Sequence, residues 1–289
     1  MDINVSDSII IDESIEKCLD YLRKLTDDLY RYFNLNEKIL INIVDELSND
    51  KLLGIVVAGV YYRDEMFHLD ISKIIFDEFK NNNLYFIEGC IYHEFVHIYD
   101  LSQTKKTFKI SYEKRKNKKA FLLDLGYEYW TEVLAYYKTF SIYKRDFDNV
   151  TTYMLTKKMK TIMKMFQNLY ETSSEDINEI DKLYNHINDL AYCHSVHLAA
   201  LLSGKLKPYE YSEKTTNSFE YQYTIEVRLK LFKQIDKIFS NPYSKKSKKR
   251  FIKIGKYLYK KIYFPFGLRI IKNEDKVSFG YYLEWLLIL

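Results

Sequence analysis

The stretch IYHEFVHIYD, residues 91–100, sets the expected fold and chemistry of the chain. Two histidines, His93 and His97, flank Glu94 with three residues between them. On an α-helix, residues four positions apart lie on the same face, so both imidazoles can reach one metal ion. By chance alone, we expect about 0.009 occurrences of this pattern per chain of this composition. The spacing therefore predicts a helix that carries two metal ligands.

Zinc-dependent hydrolysis is the chemistry that this pattern favours. Zinc lowers the pKa of a bound water to about 7, and Glu94 would accept the proton as the water attacks a carbonyl group. The alternative interpretation is that His93 and His97 are packed in a core while Glu94 faces water. That alternative is the less favoured one, because each buried imidazole would then require its own hydrogen-bond partners.

A catalytic zinc needs a third protein ligand and an open coordination position. The best candidates lie in GYEYWTEVLAYY, residues 126–137, where Glu128 and Glu132 are four positions apart on one helical face. One carboxylate could bind the metal while the other accepts a hydrogen bond from a ligand histidine. The spacing alone leaves both assignments open.

The two motifs together resemble those of the gluzincin clan of zinc metallopeptidases. HEFVHIYD and EYWTEVLAYY are similar to the motif pair of the anthrax lethal-factor catalytic domain, and to that of small HExxH proteins with a W-[ST]-E-x-x-A element. The resemblance covers about residues 85–137. It implies a zincin-like fold, a Zn²⁺ cofactor and a peptidase activity with Glu94 as general base. The W-[ST]-E pattern points to Glu132 as third ligand and the lethal-factor pattern to Glu128; we favour Glu132.

Such enzymes also need a hydrogen-bond donor for the oxyanion of the tetrahedral intermediate. In the family this donor is a Tyr or His outside the first motif, which makes Tyr129 and His194 our candidates, with Tyr127 and His197 as neighbours. Asp100, three residues after His97, would either orient that ligand or cap the end of the helix. The resemblance further implies that a strand edge, from 55–62 or 66–71, pairs with an extended peptide substrate.

The predicted architecture is α+β: a short sheet and the HExxH helix in front, and helices behind. Asp12 is a plausible N-cap for an amphipathic helix over residues 13–33. Beyond residue 120 nearly all of the pattern is helical, so we expect a largely α-helical second half. We predict a catalytic core at 1–140 and a helical region at 141–289 packed on it. The remaining predicted elements are strands at 38–44, 52–62 and 66–72, and helices near 176–202, 219–239 and 245–262.

Composition gives expectations about the environment of the protein. No apolar run reaches the roughly 18 residues that a membrane-spanning helix needs, and the acidic N-terminal stretch does not resemble a secretory signal. The three cysteines Cys18, Cys90 and Cys193 form no CxxC pair, which is typical of buried thiols in a reducing compartment. We therefore expect a cytoplasmic protein.

Basic residues are concentrated in two clusters. KKTFKISYEKRKNKK, residues 105–119, has eight Lys or Arg, and KKSKKRFIKIGKYLYKK, residues 245–261, has nine and no acid. The first could favour an acidic peptide substrate, and the second could contact nucleic acid or an anionic membrane. Hydrated lysines on ordinary surfaces are the favoured interpretation of both. The alternative to a peptidase is an inactive zincin-fold protein that binds nucleic acid or protein through these clusters.

Overall fold

The computed structural model describes residues 2–45, 47, 57–108, 117–143, 148–172, 177–204, 219–273 and 276–281. The chain divides into two compact units. Unit 1 comprises Met1–Gln103 and Ser141–Lys144, and unit 2 comprises Thr104–Phe140 and Arg145–Leu289.

Unit 1 combines a four-stranded mixed sheet with helices. The strand order is β1-β2-β4-β3, with β1, β2 and β4 parallel to one another and β3 antiparallel to β4. Its last helix extends past the boundary of the unit, so only the part up to Gln103 belongs to unit 1. The elements are β1 (Ile3–Val5), α1 (Glu13–Tyr32), β2 (Ile39–Val44), β3 (Ala58–Arg63), β4 (Met66–Ser72), α2 (Ile74–Lys80) and α3 (Leu84–Phe108).

The sheet is organised by alternating apolar residues. On β4, Phe67, Leu69 and Ile71 point to one face and are completely buried. Ile41 of β2 pairs with Leu69 and is buried on the same face, as the period of two in a strand requires. Because β4 lies between β2 and β3, residues 66–71 cannot form a sheet edge, and that alternative for substrate pairing is wrong.

Helix α1 begins where the sequence predicts. The Asp12 side chain accepts a hydrogen bond of 2.8 Å from the backbone N–H of Ile15, which satisfies one of the free donors at the helix N-terminus. Helix α3, in contrast, is apolar on several faces. Its residues Ile87, Ile91, Phe95 and Ile98 are completely buried, which is expected of a helix enclosed by other elements.

Unit 2 is mostly helical and also contains a two-stranded antiparallel sheet. Helix α6 ends before Gly204, whose φ of +72° lies in the left-handed region that favours glycine. The elements are α4 (Lys118–Ile142, with residues up to Phe140 in this unit), α5 (Asp148–Thr172), α6 (Ile177–Leu202), α7 (Phe219–Phe239), α8 (Lys245–Leu258), β5 (Leu268–Asn273) and β6 (Lys276–Tyr281).

Two glycines allow the backbones of helices α4 and α8 to come into direct contact. A Cβ atom on Gly126 would lie 1.9 Å from the carbonyl oxygen of Phe251, and one on Gly255 would lie 1.9 Å from that of Leu122. Trp130, one turn beyond Gly126, packs against Phe251 and is completely buried. This packing accounts for the place of residues 118–140 in unit 2, whereas the predicted core at 1–140 assigns them to the N-terminal part.

The α+β class and the largely helical second half are confirmed, but a two-stranded sheet in that half was not predicted. Strands β5 and β6 form a hairpin there, with Ile270 paired to Phe279. The short elements β1 and α2 also escaped prediction, because three and seven residues are too few for a recognisable period. Residues 52–56 of the predicted strand at 52–62 lie outside the described residues.

Among the helices that the structure describes, none combines the length and the apolar character needed to cross a lipid bilayer.

Candidate metal centre

The imidazoles of His93 and His97 converge on helix α3. Their Nε2 atoms lie 3.0 Å apart, and the two rings meet edge to face with centroids 4.7 Å apart. Each histidine is only 9% exposed. Completely buried Phe95 and Val96 fill the positions between them, which holds this part of the helix in a fixed environment. The predicted pair of adjacent imidazoles is therefore present.

The separation of the two nitrogen atoms fits a shared metal ion. Two nitrogen ligands at about 2.0–2.1 Å from a tetrahedral zinc lie about 3.3 Å apart, close to the 3.0 Å found between His93 and His97. A direct hydrogen bond between the rings fits the same distance, with one Nε2 protonated and the other accepting. The two arrangements differ in tautomer, because a metal needs the lone pairs of both Nε2 atoms.

Glu94 and Asp100 lie on the same helix as the histidines. Glu94 is half-buried, next in sequence to the first candidate ligand. Asp100 is completely buried, and eight further residues of α3 follow it, so the predicted alternative that it caps the helix end is wrong. A carboxylate at such a depth requires hydrogen-bond partners, which is consistent with a role in orienting a neighbouring polar group.

The two glutamates of α4 differ in their environment. Glu128 is exposed, whereas Glu132 is half-buried and its Oε2 atom is shielded from solvent. Among the residues that the structure describes, His93, His97 and Glu132 form the group able to hold a metal ion, with one ligand atom of each within 4.8 Å of the others. Two imidazoles and one carboxylate are a common donor set for catalytic zinc.

The predicted oxyanion donors Tyr129 and His194 are both buried. Tyr129 is enclosed on α4, and burial raises the pKa of its phenol far above the ordinary value. His194 on α6 is 1% exposed, and burial followed by the nearby charge of Arg228 lowers its pKa to about 3. Both side chains are therefore neutral at pH 7 and able to donate one hydrogen bond. Their catalytic roles stay predictions.

Arg228 is a buried polar residue of unit 2 that sequence reasoning missed. It is 5% exposed on α7, and its Nη1 donates a hydrogen bond of 2.6 Å to Nε2 of His197. Burial, then the charge of Arg228, lowers the pKa of His197 to about 3. The sequence contains only a weak signal that Arg228 is buried: it lies next to the apolar helix stripe that includes Val227 and Leu231.

In comparisons with known proteins, no family model, no curated protein and no solved structure matches the chain.

Proposed function

We propose that the protein is a zinc-dependent metallopeptidase. The observation that carries the proposal is the convergence of His93 Nε2 and His97 Nε2 at 3.0 Å on a buried helix, with Glu94 between them in sequence. Two lone pairs aimed at one point are what a divalent ion requires of its ligands. The resemblance of the two motifs to gluzincins supports the same activity.

The bound zinc would supply a water of lowered pKa and polarise the carbonyl group of the substrate. Glu94 would accept the proton of that water and then give it to the leaving amine, as a half-buried carboxylate beside the first ligand is able to do. His93 and His97 would hold the metal as neutral rings through Nε2, so a partner that fixes their tautomer would contact Nδ1. Asp100, completely buried one turn after His97, is our candidate for that role.

Glu132 is the third ligand in this proposal. Its partial burial and its place in the group with His93 and His97 support it over the exposed Glu128. A carboxylate that stays in water keeps its hydration, so it gains less free energy from binding a metal ion than a partly buried carboxylate does. Glu128 lies one helical turn earlier, and this makes it a matched control.

Tyr129 and His194 remain the candidates for stabilising the oxyanion. A buried neutral phenol and a buried neutral imidazole are both suitable donors, because each carries a proton that it can donate in a hydrogen bond. For the substrate, strand β3 is at the edge of the described sheet, where an extended peptide could add by backbone hydrogen bonds. The resemblance implies that mode of binding for a protein or peptide substrate.

The third ligand is tested by zinc content after dialysis, measured for the wild type, Glu132→Gln and Glu128→Gln. We expect one zinc per chain in the wild type and in Glu128→Gln, and at least a tenfold weaker affinity in Glu132→Gln, because a ligand oxygen with its charge is lost. The reverse order would assign the ligand to Glu128. Equal zinc binding by both variants would remove these carboxylates from the site.

A further inference from the structure

Four lysines form a straight stripe along helix α8 and the helical turn Tyr259–Tyr263 that continues it. Their spacing of four, three and four residues places them on one face, and all are exposed. At 1.5 Å per residue, the eleven steps from the first lysine to the last span about 16.5 Å. We call this set the lysine stripe: Lys249, Lys253, Lys256 and Lys260.

The lysine stripe is not neutralised within the described part of the chain. No residue described there forms an ion pair with any of its four members, whereas nearby Glu226 pairs with Lys230 at 2.9 Å and with Lys261 at 3.4 Å. Helix α8 itself contains no acidic residue. The four charges therefore add to one another along the surface.

The position of these charges at the start of a helix is unfavourable for folding. The first turns of α8 hold Lys245, Lys246 and Lys249 and no acid, although the N-terminus of a helix carries a partial positive charge. Lysines there are destabilising by a few tenths of a kcal/mol each. Helix stability alone does not account for such a composition, and an external anion would relieve the repulsion.

The apolar face of α8 is already occupied. Phe251, Ile254 and Leu258 are at most 1% exposed, and they pack inside unit 2. A helix that inserts into a membrane surface, or that binds a partner helix, needs its apolar face free. Since only the charged face of α8 reaches solvent, a partner of this surface must be bound by charge.

The end of the first basic cluster adjoins the lysine stripe. Helices α4 and α8 cross at Gly126 and Gly255, and the Nζ atom of Lys118 lies 5.7 Å from the ring centroid of Tyr259. Lys118 is exposed and begins α4, next to the C-terminal end of α8. Two clusters that are more than a hundred residues apart in sequence thus contribute to one surface.

We propose that this surface binds the phosphodiester backbone of a nucleic acid without sequence preference. A single strand of duplex DNA carries one charge per about 3.4 Å, or about five charges over the length of the lysine stripe. Four lysines about 5.5 Å apart are less dense than these phosphates, so each lysine can contact a separate phosphate. A lysine contacts phosphates as a point charge. The lysine stripe contains no arginine or amide side chain of the kind that reads base edges, so we expect no sequence preference.

The test is binding of a fluorescent duplex DNA of about 20 base pairs across about 50 to 200 mM salt. The stripe variant is Lys249→Gln/Lys253→Gln/Lys256→Gln. Its matched control is Lys157→Gln/Lys160→Gln/Lys164→Gln, three exposed lysines on α5 of the same unit. Each phosphate contact contributes about 0.9 to the slope of log affinity against log salt. We expect the stripe variant to lose about 2.7 of this slope and the control to keep it.

Three results would overturn the proposal: no DNA binding at the lowest salt, equal loss in both triple variants, or binding of phosphatidylserine vesicles or polyglutamate as tight as that of DNA. Because glutamine is a good helix former, circular dichroism should show folded protein in both variants. The variant Glu94→Gln should bind DNA like the wild type, so this proposal and the proposed peptidase activity can fail independently.

Discussion

At the scale of single residues, the account depends on the protonation of buried polar groups. The imidazoles of His93 and His97 can share a metal only if both Nε2 atoms present lone pairs, and Glu94 can act as a base only if it is ionised. The deeply buried His194 and His197 of α6 are instead held neutral by their surroundings. Each of these states gives a measurable consequence.

Glu94→Gln should separate metal binding from turnover. Glutamine keeps the size of the side chain but cannot accept the proton of the attacking water. We expect normal zinc content and at least a hundredfold slower peptide hydrolysis, because general base catalysis contributes about 10²–10⁴. Activity would be followed with a mixed fluorogenic peptide library, and a chelator-treated sample serves as its blank. Full activity in the variant would exclude Glu94 as the base.

His194 should make the stability of the protein depend on pH. Its folded-state pKa of about 3 lies below the ordinary value of about 6.5, so the unfolded chain binds the proton more tightly. Stability is therefore complete above about pH 6.5 and falls towards pH 3, at up to about 1.4 kcal/mol per pH unit. His197 should contribute in the same direction.

The pH effect is measured by urea unfolding of the wild type and His194→Gln at several values from pH 6.5 to 4. We expect the variant to lose stability more slowly as the pH falls, since one of the two titrating imidazoles is gone. Parallel curves for the two proteins would show that His194 takes up no additional proton on unfolding, which contradicts the prediction.

At the scale of elements, the crossing of α4 and α8 brings the backbones of two helices together in unit 2. Gly126→Ala and Gly255→Ala would each place a methyl group about 1.9 Å from a backbone carbonyl oxygen. Alanine stabilises a helix by about 1 kcal/mol relative to glycine, whereas overpacking costs about 1–3 kcal/mol and more when only backbone can yield. We expect both variants to unfold at a lower temperature than the wild type.

Gly59→Ala provides the comparison for the crossing, because no atom lies within 4 Å of the position of its Cβ. It should have a thermal midpoint close to that of the wild type. A rise in midpoint for Gly126→Ala would show that the helices do not touch at this point.

Elements with strong local signals were predictable from the sequence, and elements that depend on distant contacts were not. Helix α1 has both an N-cap and a regular apolar stripe, and its predicted range of 13–33 agrees with Glu13–Tyr32. Strand β6, KVSFGY, does alternate apolar residues with others, but six residues are a short signal, and each of β5 and β6 is stabilised by pairing with the other. No element beyond residue 262 is predicted from the sequence, so this hairpin was missed.

At the scale of the whole molecule, the candidate site was only partly predictable for the same reason. The spacing of His93 and His97 fixes their common face on any helix. Glu128 and Glu132 share a face equally well, so only the environment of α4 distinguishes the exposed from the half-buried carboxylate. Arg228 lies more than ninety residues from these motifs, and its burial follows from helix packing that no local pattern encodes.

X-ray absorption of the purified, zinc-loaded protein tests the central claim most directly, because it reports the atoms bound to the metal. Our account requires one zinc per chain with two imidazole nitrogens at about 2.0–2.1 Å and oxygen in the remaining positions. His93→Ala and His97→Ala should each remove this signal. A stoichiometric zinc that keeps the same spectrum in both variants, or a wild type that binds no zinc, would contradict the account.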